Sequence, residues 1–159
     1  MNNNDIIRRV RYTFDLNDDS MIRIFTSAGL EVTRAEISDW LKKDDDPMQK
    51  KLNDHKLAYF LNGFIIKKRG KQDGPLPVAE KQLNNNIIFR KLKIALALQD
   101  DDILEILQGV DFRFSKHELS ALFRKPDHDK YRPCKDQVLR NFIYGLQKKY
   151  KPNEENEQL

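Results

Sequence analysis

Cysteine is almost absent from this sequence, in which Cys134 is the single example among 159 residues. One thiol excludes an internal disulfide, and it excludes the clustered cysteines of structural zinc sites. The three histidines, His55, His117 and His128, lack the short spacing of zinc ligands. We therefore expect no metal and no cofactor. Cys134 is interpreted as a small apolar side chain rather than a nucleophile.

Glycine is also scarce, with six residues in the chain and no cluster that could form a phosphate-binding loop. No run approaches the roughly 18 consecutive apolar residues of a membrane-spanning helix. Residues 1–5 lack the basic and apolar stretches of a signal peptide. The net charge of +4 would favour approach to an anion, but it falls short of a dedicated nucleic-acid binder. We expect a cytoplasmic protein that does not contact a membrane.

What the sequence does contain is a long internal repeat without gaps. Each residue from 2 to 68 aligns with the residue 82 positions later, and 18 of the 67 pairs are identical. A repeat of this length indicates a duplicated unit. A unit of this size buries only roughly 60% of its unfolded surface when alone. We therefore expect the two copies to pack together with approximate two-fold symmetry.

Apolar residues recur at helical spacing in four segments of each copy. The sequence predicts an all-α fold, a tandem duplication of a four-helix unit with helix-turn-helix-like segments. In the first copy the helices are expected from about Asn4 to Leu16, from residues 18–19 to Gly29, from Thr33 through Leu41, and from Asp46-Pro47 to about Lys68. The predicted domains are a first helical repeat (1–69), a linker (70–82), a second helical repeat (83–150) and a disordered acidic tail (151–159).

The start of the third helix carries the clearest local signal. Thr33 with Glu36, and again Ser115 with Glu118, have the spacing of a capping box. A glycine and a short turn precede this helix, as in the helix-turn-helix of small repressors, whose second helix enters the major groove. The turn is longer than the usual one.

A stripe of basic and hydroxyl side chains follows the outer face of this helix in both copies. The candidate nucleic-acid-binding residues are Arg34, Ser38, Lys42, Lys116, Ser120 and Arg124. Such side chains suit phosphates and base edges, so DNA or RNA is the partner they predict. Acidic neighbours, among them Glu31, Asp39 and residues 44–46, would repel phosphate. A solvated helical corner is the alternative interpretation.

The end of the fourth helix offers a second candidate surface. Its residues are Phe64, Ile66, Lys67, Lys68 and Arg69. Gly63 interrupts this helix at a cost of about 1 kcal/mol relative to alanine. We expect the glycine to admit a close helix from the other copy. The surface is then either internal packing or a contact with a protein partner or a second copy in a homodimer.

The repeated acidic pair, Asp18 with Asp19, is the nearest approach to a catalytic or metal-binding set. Two carboxylates can share a divalent cation or divide acid and base roles. The same side chains stabilise the positive end of a helix, which explains them without chemistry. We therefore expect no catalytic residues and no enzyme. A non-enzymatic binding or regulatory protein is favoured, followed by a protein-interaction adaptor and then by an enzyme that uses the acidic pairs.

Several segments together resemble the YehS-like family of bacterial proteins. The segments are Asn3 to Tyr12, Leu16 to Asp19 with Met21, Trp40 to Asp44, and Phe60 to Gly70. The resemblance covers residues 2–149. It implies a bacterial cytosolic protein built from a duplicated domain of unknown function, and it supplies no functional residues. Trp40 and Asn62 are replaced by Leu122 and Tyr144 in the second copy. If the first copy binds a ligand through those two residues, the second copy would have a structural role only.

Overall fold

The computed structural model describes residues 1–152, and this part of the chain is helical without β-strands. Its helices are α1 (Asn3–Thr13), α2 (Asp18–Ser27), α3 (Arg34–Leu41), α4 (Asp54–Arg69), α5 (Asn85–Ala95), α6 (Asp100–Gln108), α7 (Lys116–Leu122) and α8 (Asp136–Tyr150). The all-α fold with two sets of four helices is confirmed. Of the predicted acidic tail, residues 153–159 lie outside the described residues.

The chain divides into two compact units, residues 1–83 and the residues from Asn84 onward. In the first unit, α1 and α2 each pack against α3 and α4. In the second unit, α6 packs against α7 and α8, and α5 packs against α8. The largest fully buried side chains in the core of each unit include phenylalanines, for example Phe60 in the first and Phe142 in the second. The approximate two-fold relation between the units stays a prediction.

The first helix ends at Thr13, short of the predicted end near Leu16. Asp15 adopts a left-handed conformation with φ of 52°, and the amide of Leu16 then donates to the carbonyl of Arg11 at 3.0 Å. This arrangement is the Schellman motif, in which an apolar residue after the turn packs back on the helix. Ala97, with φ of 53°, takes the place of Asp15 in the second unit.

Two predicted helix signals are confirmed. Gly29 follows the end of α2 with φ of 103°, a conformation that glycine adopts at little cost. The amide of Glu36 donates to the Thr33 hydroxyl at 3.1 Å, and the amide of Thr33 donates to the Glu36 carboxylate at 2.9 Å. Ser115 and Glu118 form the same reciprocal pair, with both bonds at 3.0 Å.

The prediction that the fourth helix begins at residues 46–47 is wrong. α4 begins at Asp54, and Asn53 is its N-terminal cap. Asp46 instead closes a local turn, because its carboxylate accepts from the amide two residues later at 2.8 Å. Residues 42–53 are irregular because several of their main-chain groups bond to asparagine side chains of α1.

Gly63 and Gly145 do admit a close helix, but that helix belongs to their own unit. A Cβ placed on Gly63 would lie 1.9 Å from the main-chain oxygen of Ile24 in α2. A Cβ placed on Gly145 would lie 2.7 Å from the main-chain oxygen of Ile106 in α6. The expectation that the other copy fills this space is therefore wrong. The glycines allow α4 and α8 to touch the backbones of α2 and α6.

Residues 70–82 turn back along α4 within the first unit, and we call them the return segment. The carbonyl of Glu80 lies 3.0 Å from Nδ1 of His55, near the start of α4. Immediately after the segment, the amide of Leu83 donates to the carboxylate of Asp54 at 2.9 Å. The chain therefore travels from the C-terminal end of α4 to its N-terminal end before the second unit begins.

Candidate functional site

The asparagines at the start of α1 hold the main chain as well as capping the helix. Asn4 is buried, with 1% of its surface exposed. Its Nδ2 donates to the carbonyls of Trp40 and Lys50, each at 2.9 Å, and its Oδ1 accepts from the amide of Leu52 at 3.1 Å. Leaving such a buried main-chain group unpaired costs about 1–3 kcal/mol. Asn4 therefore fixes the end of α3 and the segment before α4 against α1.

The second unit repeats this asparagine clamp. Nδ2 of Asn86 donates to the carbonyls of Leu122 at 3.0 Å and Arg132 at 2.9 Å, and its Oδ1 accepts from the amide of Cys134 at 2.8 Å. The sequence prediction gave the asparagines a capping role alone. A cap requires one asparagine, whereas the repeat keeps three in a row, and this surplus was the signal for the clamp.

The predicted stripe of the first unit is paired with carboxylates. Arg34 donates to the carboxylate of Asp19 at 2.5 Å and to that of Asp18 at 3.2 Å. These hydrogen bonds, led by the one to Asp19, raise the pKa of Arg34 above its ordinary value. Lys42, the residue at the end of α3, pairs with Asp39 at 2.6 Å. Ser38 is exposed between them. This helix therefore presents little net positive charge.

The predicted stripe of the second unit is less tightly paired with carboxylates. Nζ of Lys116 lies 3.9 Å from the carboxylate of Asp101, and both side chains are mostly exposed. Ser120 is half-buried, and Arg124 is exposed without an ion pair in the described part of the chain. Asp39, which pairs with Lys42 in the first unit, is replaced here by Ala121. The two stripes share residue types but differ in the charge that they can offer.

Beside this stripe, α7 forms one wall of a groove of about 840 Å³. The turn after α6 (residues 112–114) and the segment 129–138 form the remaining walls. His117 and Leu122 are among the α7 residues that line the groove. At 100° per residue, His117 lies between Lys116 and the other groove-lining residues of α7. The stripe and the groove therefore form one continuous surface of the second unit.

The groove combines flat apolar faces with positive charge. Phe112 and Phe114 are half-buried, and their ring centroids lie 6.0 Å apart with an interplanar angle of 29°. Four cationic side chains line the groove, against two carboxylates. The cationic residues are Arg113, Lys130, Arg132 and Lys135.

One of the two groove carboxylates is engaged locally, because Glu118 accepts a hydrogen bond in the capping box of α7. Nδ1 of His128 lies 3.1 Å from Asp129, but it accepts from the amide of Lys130 at 3.0 Å and does not neutralise that carboxylate. Arg132 donates to two main-chain carbonyls, at 2.8 and 3.2 Å, and not to a carboxylate. The other three cations have no ion pair within the described residues. The groove is therefore a positively charged surface.

The corresponding position of the first unit is occupied by a large side chain. Trp40 is buried there, and Nζ of Lys56 lies 5.4 Å from the centroid of its ring. The counterparts in the second unit are Leu122 and Val138, which are smaller and uncharged. These two replacements open the floor of the groove.

The predicted interaction surface at the end of α4 is only partly exposed. Phe64 is fully buried, so its assignment to a surface is wrong; its ring packs 5.2 Å from that of Phe14. Ile66 is half-buried, and residues 67–69 are exposed. Nζ of Lys68 lies 4.9 Å from the centroid of the Phe14 ring. The exposed part of this surface is therefore basic rather than apolar.

The residues considered for metal or redox chemistry do not converge. Among residues 1–152, no cluster of three or more histidine, cysteine, aspartate or glutamate side chains could hold a metal ion. Burial raises the pKa of the Cys134 thiol to about 12, so the nucleophilic thiolate is scarce at neutral pH. No helix in the described range has the length and apolar character to cross a membrane.

Comparisons with known proteins agree with the duplicated architecture. A family model described as "Protein of unknown function (DUF1456)" matches residues 3–70 and again residues 85–151. The uncharacterised protein YehS of Escherichia coli (strain K12) is 44% identical over 147 residues, which cover 92% of this chain and 94% of that protein. No solved structure matches the chain. The resemblance to YehS-like proteins is confirmed, and the chain belongs to the DUF1456 family, of which it carries two copies.

Proposed function

We propose that this protein is a non-enzymatic binding or regulatory protein that contacts nucleic acid through α7 of the second unit. The observations that support the proposal are the long ion pair of Lys116, 3.9 Å from Asp101, and the absence of an ion pair at Arg124 within the described residues. In α3 the equivalent residues, Arg34 and Lys42, are each held by a carboxylate at 2.5–2.6 Å. Of the two helices, α7 therefore has the more attractive field for phosphate.

The shape of α7 limits how it could dock. The helix has seven residues, and Arg124 lies just beyond its end. Recognition helices use their N-terminal residues on base edges, so two turns are sufficient for such a contact. The connection from α6, residues 109–115, is longer than the turn of a standard helix-turn-helix. We therefore propose docking by α7 with its flanking residues, rather than by a standard repressor motif.

A titration of labelled oligonucleotides by fluorescence anisotropy tests this proposal. Lys116→Gln with Arg124→Gln should weaken binding and reduce the slope of log affinity against log salt by about 1 to 2. Arg34→Gln with Lys42→Gln is the matched control, and it should leave binding nearly unchanged. Absence of binding at about 50 mM salt, or equal effects of the two double variants, contradicts the proposal.

A protein-interaction adaptor, acting through the end of α4, has less support. Phe64 is buried, so Ile66 is the only apolar residue of that predicted surface with exposed area. Analytical ultracentrifugation of the wild type and of Ile66→Asp tests whether this surface forms a contact between two copies of the chain. Self-association that this substitution abolishes favours the adaptor, and an unchanged monomer in both removes the homodimer contact from consideration.

A further inference from the structure

We infer that the groove beside α7 binds single-stranded nucleic acid, with bases against Phe112 and Phe114 and phosphates at the surrounding cations. The inference rests on the proposed function and adds the position and strandedness of the ligand. The groove volume of about 840 Å³ lies within the roughly 300–1,000 Å³ typical of ligand sites. A nucleotide-sized group therefore fits inside it.

The aromatic residues supply a surface that accepts any base. Proteins that bind single strands stack successive bases on aromatic rings, and each stacked base contributes about tenfold or more to affinity. Phe112 and Phe114 line the groove and are half-buried, so part of each side chain is accessible to a base. Their counterparts in the first unit are Leu30 and Val32, which have no flat face.

The cations beside the rings are largely specific to the second unit. Arg113 replaces Glu31, a change that reverses the charge at the turn before α7. Lys130 and Lys135 stand where the first unit has a methionine and an asparagine. The combination of rings and unpaired cations matches the two components of a single strand, its bases and its phosphates.

The first unit places part of its own chain beside the equivalent position. There, the carbonyl of Glu80 in the return segment lies 3.0 Å from Nδ1 of His55. The counterpart of His55 is Gln137, which lines the groove of the second unit. A main-chain carbonyl thus already lies at the rim of the equivalent position in the first unit.

A duplex does not suit the groove as well as a single strand. In a duplex the base faces are stacked on one another, so only base edges and the backbone are accessible. Recognition by aromatic stacking therefore requires bases that are splayed out of a helix. The half-buried rings of Phe112 and Phe114 offer faces and few hydrogen-bonding groups, which favours the unpaired state.

Binding of labelled oligouridylate and oligodeoxythymidylate, against a duplex of equal length, tests the inference. Phe112→Leu with Phe114→Val introduces the residues of the first unit and should weaken single-strand binding by about tenfold or more. Phe112→Tyr with Phe114→Tyr keeps the flat rings and should retain affinity. Arg113→Gln with Lys130→Gln, at exposed positions that do not support the fold, should weaken binding and lower its salt dependence.

The outcomes separate this inference from the proposed function. Wild-type affinity in both the leucine–valine and the Arg113–Lys130 variants, or duplex binding as tight as single-strand binding, overturns the groove as the site. The proposed function still stands in that case if Lys116→Gln with Arg124→Gln weakens binding. Absence of binding to every oligonucleotide at low salt overturns both. Weaker single-strand binding in both groove variants, with affinity retained in Phe112→Tyr with Phe114→Tyr, supports the groove.

Discussion

Asn4 donates a hydrogen bond to the main-chain carbonyl of Trp40, at 2.9 Å, in the core of the first unit. Asn86 donates the equivalent bond to Leu122 at 3.0 Å, although the two acceptor residues have very different side chains. The asparagine contacts only the main-chain carbonyl of the acceptor residue, so the side chain of that residue can differ between the units. One backbone plan can therefore carry a filled position in one unit and a groove in the other.

Removal of either buried asparagine should strongly destabilise its unit. We expect Asn4→Ala to lower the free energy of unfolding by about 3 kcal/mol, because two buried main-chain groups and one part-buried group lose their partner. Asn2→Ala is the matched control, since it removes a helix cap worth about 1 kcal/mol. Urea unfolding followed by circular dichroism measures both. Equal losses in the two variants would show that Asn4 acts as no more than a cap.

The successes and failures of the sequence predictions have a common physical cause. Capping boxes and the glycine after α2 involve residues within a few positions of one another, and these signals were correct. The start of α4 was misplaced because a local Asp-Pro signal competes with Asn4, which binds the carbonyl of Lys50 from 46 residues away. Neighbouring residues in the sequence do not reveal such a competition.

The same limit applies to the candidate site. The residue types of both stripes were visible in the sequence, but their charge depends on pairs such as Arg34 with Asp19, which are 15 residues apart. The groove was not predicted at all. Its sequence signal was the loss of Trp40 in the second copy, a change that we interpreted as a possible loss of function in that copy. The structure instead connects the change to the floor of a groove.

The glycines in α4 and α8 lead to a graded prediction for alanine substitutions. Gly63→Ala should destabilise the protein by at least about 2 kcal/mol, because its Cβ would meet a main-chain oxygen that cannot easily move. Gly145→Ala should cost less, since its Cβ would lie 2.7 Å from the nearest main-chain oxygen, against 1.9 Å for Gly63. Gly109→Ala is the control, with its nearest atom at 3.2 Å. Thermal unfolding that ranks Gly109→Ala as the most harmful would contradict this packing.

The left-handed residue after α5 offers a stabilising substitution. Ala97 has φ of 53°, a conformation that costs an L residue about 1–2 kcal/mol and glycine very little. Its side chain is exposed, so Ala97→Gly loses no packing. We expect a gain of about 1 kcal/mol in the free energy of unfolding, after the added flexibility of the unfolded chain. Asp15→Gly should gain less, because aspartate tolerates this conformation better. A loss of stability in Ala97→Gly would contradict the left-handed conformation of Ala97.

The buried thiol should respond to pH in a defined direction. Burial raises the pKa of Cys134 from 9.0 to about 12, so the folded state holds its proton more tightly than the unfolded state. Stability that depends on this group is therefore complete below about pH 9 and declines as the pH rises toward 12. An aromatic disulfide reagent at pH 8 should react slowly with native protein and rapidly in urea. Fast reaction of the native protein would show that the thiol is accessible and its pKa ordinary.

Closure of the groove should weaken single-strand binding without loss of the fold. Leu122→Trp with Val138→Lys introduces the corresponding residues of the first unit, in which Nζ of Lys56 lies 5.4 Å from the centroid of the Trp40 ring. In the first unit Trp40 packs against Phe25, whose counterpart in the second unit is the smaller Leu107. We expect affinity for oligouridylate to fall by about tenfold or more, as for the loss of one stacked base.

Circular dichroism and thermal unfolding should confirm a folded protein, with Leu41→Phe in the first unit as a control for added side-chain volume. A folded double variant with wild-type affinity would place the nucleic acid elsewhere, because the introduced ring and ammonium would then occupy space that the ligand does not use.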